Sequence, residues 1–226
     1  MTPLSYNANR NTFGDEFVYA SVFQAFAESK ERSTLREWRS KFAIGNRDVH
    51  PLVASRSEKS LMCLVMLSMD WFKGYYRNSD DFVRQAAEWF DDIVNSRRGV
   101  FYTPGGLIYF RGQSDVHGSL HVAVNTALAA YLYYDFGVQN KTSESAQMIL
   151  RMANRQISYV LGQNPMNINY VYGLASNSVK NLHHRYALNP NSATLLPRLT
   201  GALVGGPDAT DRFVDNGQNT VANGVS

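Results

Sequence analysis

The stretch SESAQMILRMANRQISYVLGQNP, residues 143–165, decides how the rest of the chain is read. Ile149, Met152, Ile157 and Val160 fall at helical spacing, Ser143 or Ser145 offers an N-cap, and Gly162 is a stop. Beyond Gly162 no helix is expected. The region from Tyr159 to Asp215 instead carries Leu161-Gly162-Gln163-Asn164-Pro165, then His183-His184-Arg185, then a glycine-rich run from Leu199 to Asp208. Long polar loops on a helical scaffold are where binding and catalytic groups tend to sit.

Upstream of this stretch the chain reads as one helix after another. Phe17, Ala20, Phe23 and Phe26 follow an acidic first turn, and Thr34 with Glu37 fits a capping box for a piece over Thr34 to Ala43. The segment from about Glu58 to Tyr75 is apolar on most sides, which predicts a helix buried on several faces. Ser79-Asp80-Asp81 opens an amphipathic helix to about Asn95, with Phe82, Ala86, Trp89, Phe90 and Ile93 as its stripe. A turn region with Thr103-Pro104-Gly105-Gly106 follows, then a helix from Ser119 to Phe136 that Gly137 ends. No strand alternation, short repeat or linker interrupts this order. The expectation is an all-α chain in one unit, helical over 12–162 and irregular over 163–226.

Composition narrows the function classes. The chain has 226 residues, 44% hydrophobic, and a net charge of +3 with no basic run, which argues against nucleic acid. No apolar run is long enough to span a membrane, and the N-terminus has no apolar signal core. The single cysteine, Cys63, sits in an apolar run and reads as a small buried hydrophobe. Asn140-Lys141-Thr142 fits the N-glycosylation pattern, which is short enough to arise by chance.

Within the irregular region, His183 and Arg185 are two apart, so in extended chain both point at one ligand. Asp208, Asp211 and Asp215 crowd a short segment. Such carboxylates position a water, bind sugar hydroxyls or hold a cation, and the plain alternative is a solvated acidic loop. His117 and His121 have the i, i+4 spacing of a helical metal pair, but no third ligand is evident. Trp71, Tyr75, Tyr76 and Trp89 read first as core.

Taken together, several segments resemble the catalytic module of glycoside hydrolase family 9, the endo-β-1,4-glucanases. Thr12-Phe13-Gly14-Asp15-Glu16-Phe17 is similar to that family's Gly-Asp-Glu-Phe helix start. Thr103 to Leu107 is similar to its glycine turn, and Gly118 to Ala127 to the helix that follows. Tyr159 to Pro165 resembles its Tyr-x-Leu-Gly-Asp-Asn-Pro element, with Gln163 where Asp is usual. His183-His184-Arg185 matches the His-x-Arg signature, and Leu199 to Asp208 the Thr-Gly-Ala-x-Val-Gly-Gly-Pro-Asp segment.

The resemblance implies an (α/α)6 barrel, of which about six helices make half. It implies inverting hydrolysis of β-1,4-glucan, in which a carboxylate activates a water and a carboxylic acid protonates the leaving oxygen. The base belongs to an Asp-Ala-Gly-Asp element that these residues lack, and the acid position falls on Gly224. By the same resemblance His183 and Asp215 are the catalytic-site residues. His184, Arg185, Asp208 and Asp211 then bind substrate. Asp15 and Glu16 match positions that hold a structural calcium in some members, and no other cofactor is expected. The family setting is extracellular. A half barrel leaves apolar helix faces that invite self-association. Two further readings remain beside an impaired glucanase: a non-catalytic glucan-binding remnant and a truncated gene product.

Overall fold

The computed structural model describes residues 19–24, 27, 59–69, 79–110, 118–182 and 199–215. Residues 19–24 are helical. The named elements are α1 (Ser60–Ser68), α2 (Ser79–Val94), β1 (Val100–Tyr102), β2 (Ile108–Phe110), α3 (Ser119–Phe136) and α4 (Glu144–Val160). The piece expected over Thr34 to Ala43 lies outside the described residues.

The described residues fall into two compact units. One holds the residues up to Val100 together with 125–153, and the other holds 101–124 and the residues from Asn154 onward.

In the first unit, α1 packs on α2. Leu61, Cys63, Leu64, Val65 and Leu67 are fully buried, as an all-apolar helix requires. The α2 stripe is the expected one: Phe82, Ala86, Trp89, Phe90 and Ile93 are all buried. Phe90 stacks on Tyr133 of α3 at 5.0 Å between ring centres. Trp89 is therefore core, as its spacing indicated. The turn after α2 is held by Arg98 Nε on Asp92 at 2.9 Å. Gly137 ends α3, and the amides of Gly137 and Val138 both donate to the Tyr133 carbonyl. Ser143 caps α4: its hydroxyl oxygen accepts from the Ala146 amide at 3.3 Å.

The second unit departs from the all-α expectation. β1 and β2 pair into a small antiparallel sheet, closed by the Thr103–Leu107 turn. Each strand is only three residues, and β2 (Ile108, Tyr109, Phe110) is buried throughout, so no alternating pattern betrays it. The fully buried Gln156 of α4 pins the hairpin. Its side chain accepts from the Ile108 amide at 2.8 Å and donates to the Gly106 carbonyl at 3.2 Å.

The end of α4 explains why helix stops where the sequence placed the stop. Gly162 takes φ +116, its amide donates to Tyr159 O, and the Gln163 amide donates to Ser158 O. These are the paired bonds of a Schellman ending, which needs the left-handed conformation glycine adopts freely. Asn164 then ties the next loop. Its Nδ2 donates to Tyr159 O and Ile168 O, each at 2.7 Å, and its Oδ1 accepts from the amides of Met166 and Ile168. The described parts of 163–215 stay irregular, with single bridges at Asn169–Ser178 and Val171–Leu203. Their core is Leu107, Leu120, Tyr159, Tyr170, Val179 and Phe213.

Candidate active-site loop

Asp208 to Asp215 is the described part of the expected site, and its three carboxylates do three different things. Asp208 serves its own loop. Its Oδ1 accepts from the Thr210 amide and hydroxyl, both at 2.7 Å, and from the Arg212 amide at 3.0 Å. Partial burial acts to raise its pKa, but these donors outweigh burial and hold it below the usual carboxylate range.

Asp211 is 4% exposed and joins three distant segments. Its Oδ1 accepts from the Thr103 hydroxyl at 2.5 Å and from the Tyr159 hydroxyl at 2.6 Å, and its Oδ2 from the Gly105 amide at 2.6 Å. Thr103 Oγ1 also accepts from the Leu107 amide, so the carboxylate and the glycine turn form one network. Asp211 adopts φ +63, a left-handed conformation that Asp tolerates better than most residues. Burial foremost, and then the bond to Asp211, push the Tyr159 pKa well above its ordinary value. Tyr159 and Tyr170 stack, and Phe213 meets Tyr170 edge-on at 5.0 Å. The buried Tyr170 hydroxyl feels that of Tyr159 without making a well-formed hydrogen bond.

Asp215 grips the backbone ahead of the histidine signature. Its oxygens accept from the amides of Lys180 at 2.7 Å and Asn181 at 2.9 Å, and Asn181 Nδ2 donates back to the Asp215 carbonyl at 2.8 Å.

The same loop is fastened to α3 on its other side. Ser119 Oγ donates to Pro207 O at 2.7 Å, and the Leu120 amide to Gly205 O at 3.0 Å. Gly118 lies so close to Gly205 that a Cβ there would overlap its carbonyl. Gly106 lies under the Arg155 guanidinium in the same manner.

Of the expected site residues, the structure brings Asp208, Asp211 and Asp215 onto one loop. His183, His184, Arg185, Gly224, Asp15 and Glu16 lie outside the described residues, as does His117. His121 spends Nδ1 on the Gly118 carbonyl at 2.9 Å. Among the described residues no group of three or more His, Cys, Asp or Glu is placed to hold a metal. Reading the sequence missed the partners of Asp211, namely Thr103, Gly105 and Tyr159. The signal was present, since all three lie inside the glycine turn and the Tyr-x-Leu-Gly element already singled out.

A family model described as Glycosyl hydrolase family 9 matches residues 2–226. Endoglucanase A of Bacillus pumilus is 38% identical over 133 residues, 56% of this chain and 19% of that protein. An endoglucanase of Phaseolus vulgaris is 32% identical over 238 residues, 90% of this chain and 45% of that protein. The structure of endoglucanase CelQ from Clostridium thermocellum, complexed with cellobiose and cellotriose, matches with a TM-score of 0.73 and 26% identity. It covers 96% of this chain and 36% of that chain. The chain thus spans less than half the length of these relatives. With a match that runs from one end of the sequence to the other, the chain belongs to glycosyl hydrolase family 9.

Proposed function

We propose that this chain is a cellulase-like hydrolase module for β-1,4-glucosidic bonds, contributing one wall of a glucan cleft on about half of an (α/α)6 barrel. The observation that carries this reading is the Asp208–Asp215 loop, tied to the glycine turn by Asp211 and to residues 180–181 by Asp215. The chain reaches His183-His184-Arg185 two residues after that clamp. Neighbours crystallised with cellotriose and cellotetraose support a β-glucan ligand.

In this reading His183 contacts the sugar at the scissile bond, with His184 and Arg185 beside it. Asp211 acts by holding the loop rather than by touching sugar, because its two oxygens already accept three donors in a buried site. Asp215 is likewise a positioning residue, since two backbone amides occupy its carboxylate.

Inverting hydrolysis needs a carboxylate base and a carboxylic acid about 6.5–9.5 Å apart. The 226 residues contain no Asp-Ala-Gly-Asp element, and Gly224 stands at the acid position. Glycine transfers no proton, and loss of a positioned acid removes a factor of about 10²–10⁴ in rate. The polypeptide by itself therefore binds β-glucan and turns it over very slowly or not at all.

Two measurements on the purified 226-residue chain test this: reducing-end release from carboxymethylcellulose, and calorimetry with cellotetraose. Heat of binding without turnover is expected. Turnover abolished by His183→Ala would overturn the impairment, and absence of both signals would overturn the glucan reading.

A further inference from the structure

The connection between α3 and α4 carries the one Asn-x-Ser/Thr triplet of the sequence, Asn140-Lys141-Thr142. The triplet alone carries little weight, but its conformation is informative. The Thr142 amide donates to Asn140 Oδ1 at 3.1 Å, and the Thr142 hydroxyl donates to the same oxygen at 2.8 Å. Two donors on one carboxamide oxygen hold the side chain in an Asx turn. Asn140 is exposed, and Nδ2 donates to no group among the described residues.

The surrounding turn is rigidly built. The Asn140 carbonyl accepts from the Ser143 amide at 3.2 Å and from its hydroxyl at 2.8 Å. The Lys141 carbonyl accepts from Gln147 Nε2 at 2.6 Å. The carboxamide therefore turns its oxygen inward and leaves its nitrogen to solvent. Asn140 stands on the rim of a cavity of about 160 Å³ lined by Val83, Phe90, Val94, Tyr133 and Val138.

We propose that Asn140 is an acceptor for an N-linked glycan, a bulky modification that suits an exposed turn. The donor class is a lipid-linked oligosaccharide pyrophosphate. Nδ2 forms a bond to the anomeric carbon of the first sugar, the bond from that carbon to the pyrophosphate oxygen breaks, the lipid pyrophosphate leaves, and one Nδ2 proton is released. The inference is independent of whether the chain cleaves β-glucan.

The test is expression of the full chain behind a cleavable secretion signal in a glycosylating eukaryotic host, followed by intact-mass and peptide mass spectrometry. A mass increment is expected. Peptide N-glycosidase should remove it and convert Asn140 to aspartate. It should be absent from Asn140→Gln and Thr142→Ala and kept in Thr142→Ser. A secreted wild-type chain whose Asn140 peptide is unmodified would overturn the proposal, as would an increment that survives Asn140→Gln. If the variants are not secreted, the wild-type peptide decides alone.

Discussion

Replacing Asp211 by alanine removes the acceptor for the Thr103 hydroxyl, the Gly105 amide and the Tyr159 hydroxyl at one stroke. Hydrogen bonds to a charged group contribute about 1.5–3 kcal/mol each, but three on one carboxylate do not add. The buried carboxylate itself costs desolvation, which offsets part of the gain. Each buried neutral donor left without its acceptor costs about 1–3 kcal/mol. Alanine at φ +63 adds roughly 1 kcal/mol of backbone strain. With the three donors counted less than additively and the strain included, a loss of about 4 kcal/mol is expected for Asp211→Ala, read by urea unfolding followed by far-ultraviolet circular dichroism. Asp211→Asn keeps one carbonyl acceptor and tolerates the left-handed backbone, so it should lose about half as much. Tyr159→Phe combined with Asp211→Ala should fall short of additivity by about 1–2 kcal/mol. The reasoning fails if Asp211→Ala lies within about 1 kcal/mol of wild type, or if Asp211→Asn is as damaging as alanine.

Three other outcomes follow from the same geometry. Gly118→Ala forces a Cβ into the backbone carbonyl of Gly205 at φ +86, whereas at Gly106, φ +95, the nearest atoms a Cβ meets are those of the movable Arg155 guanidinium. Thermal melts should show a loss of about 3 kcal/mol or more for the first and about 1–2 kcal/mol for the second, and the reverse order would refute the packing argument. Burial pushes Tyr133 and Tyr102 up to about 12, against an opposing pull from Arg155 on Tyr102. Because the folded state holds these protons more tightly, their stabilisation is complete below pH 10 and is lost between pH 10 and about 12. The melting temperature should drop across that window, less steeply in Tyr133→Phe. Asp215→Asn removes one acceptor from the Lys180–Asn181 clamp, and amide exchange at those two positions should quicken by about tenfold while α1 and α2 exchange as before.

The helices were readable because their signals are local. α3 ends at Phe136 because Gly137 closes it, its amide donating to the Tyr133 carbonyl. The α2 stripe needed only a count of apolar spacings. The hairpin was not readable, since two three-residue strands carry no period, and what holds them is Gln156, about 50 positions away. The site divides in the same way. Asp208, Asp211 and Asp215 look alike as a sequence. Asp208 finds its donors within four residues, whereas Asp211 finds its own 52 to 108 residues away. Distance along the chain is what a local reading does not reach, so the partners of Asp211 on Thr103, Gly105 and Tyr159 were not foreseen.

The Asp211 tie also bears on the order in which the second unit assembles. Thr103 and Asp211 are 108 positions apart, and closing a loop of that length costs about 4 kcal/mol in chain entropy beyond a constant. Gly105 lies two residues further along, so once the first bond has formed, its amide is already at hand and its bond is entropically almost free. Tyr159 sits on α4, whose last turn is in place as soon as the helix has formed. The three bonds are therefore gained together and lost together. If the junction closes after the folding barrier, Asp211→Ala should speed unfolding and leave the folding rate nearly unchanged, and a chevron plot with a slowed folding limb would place it in the nucleus instead.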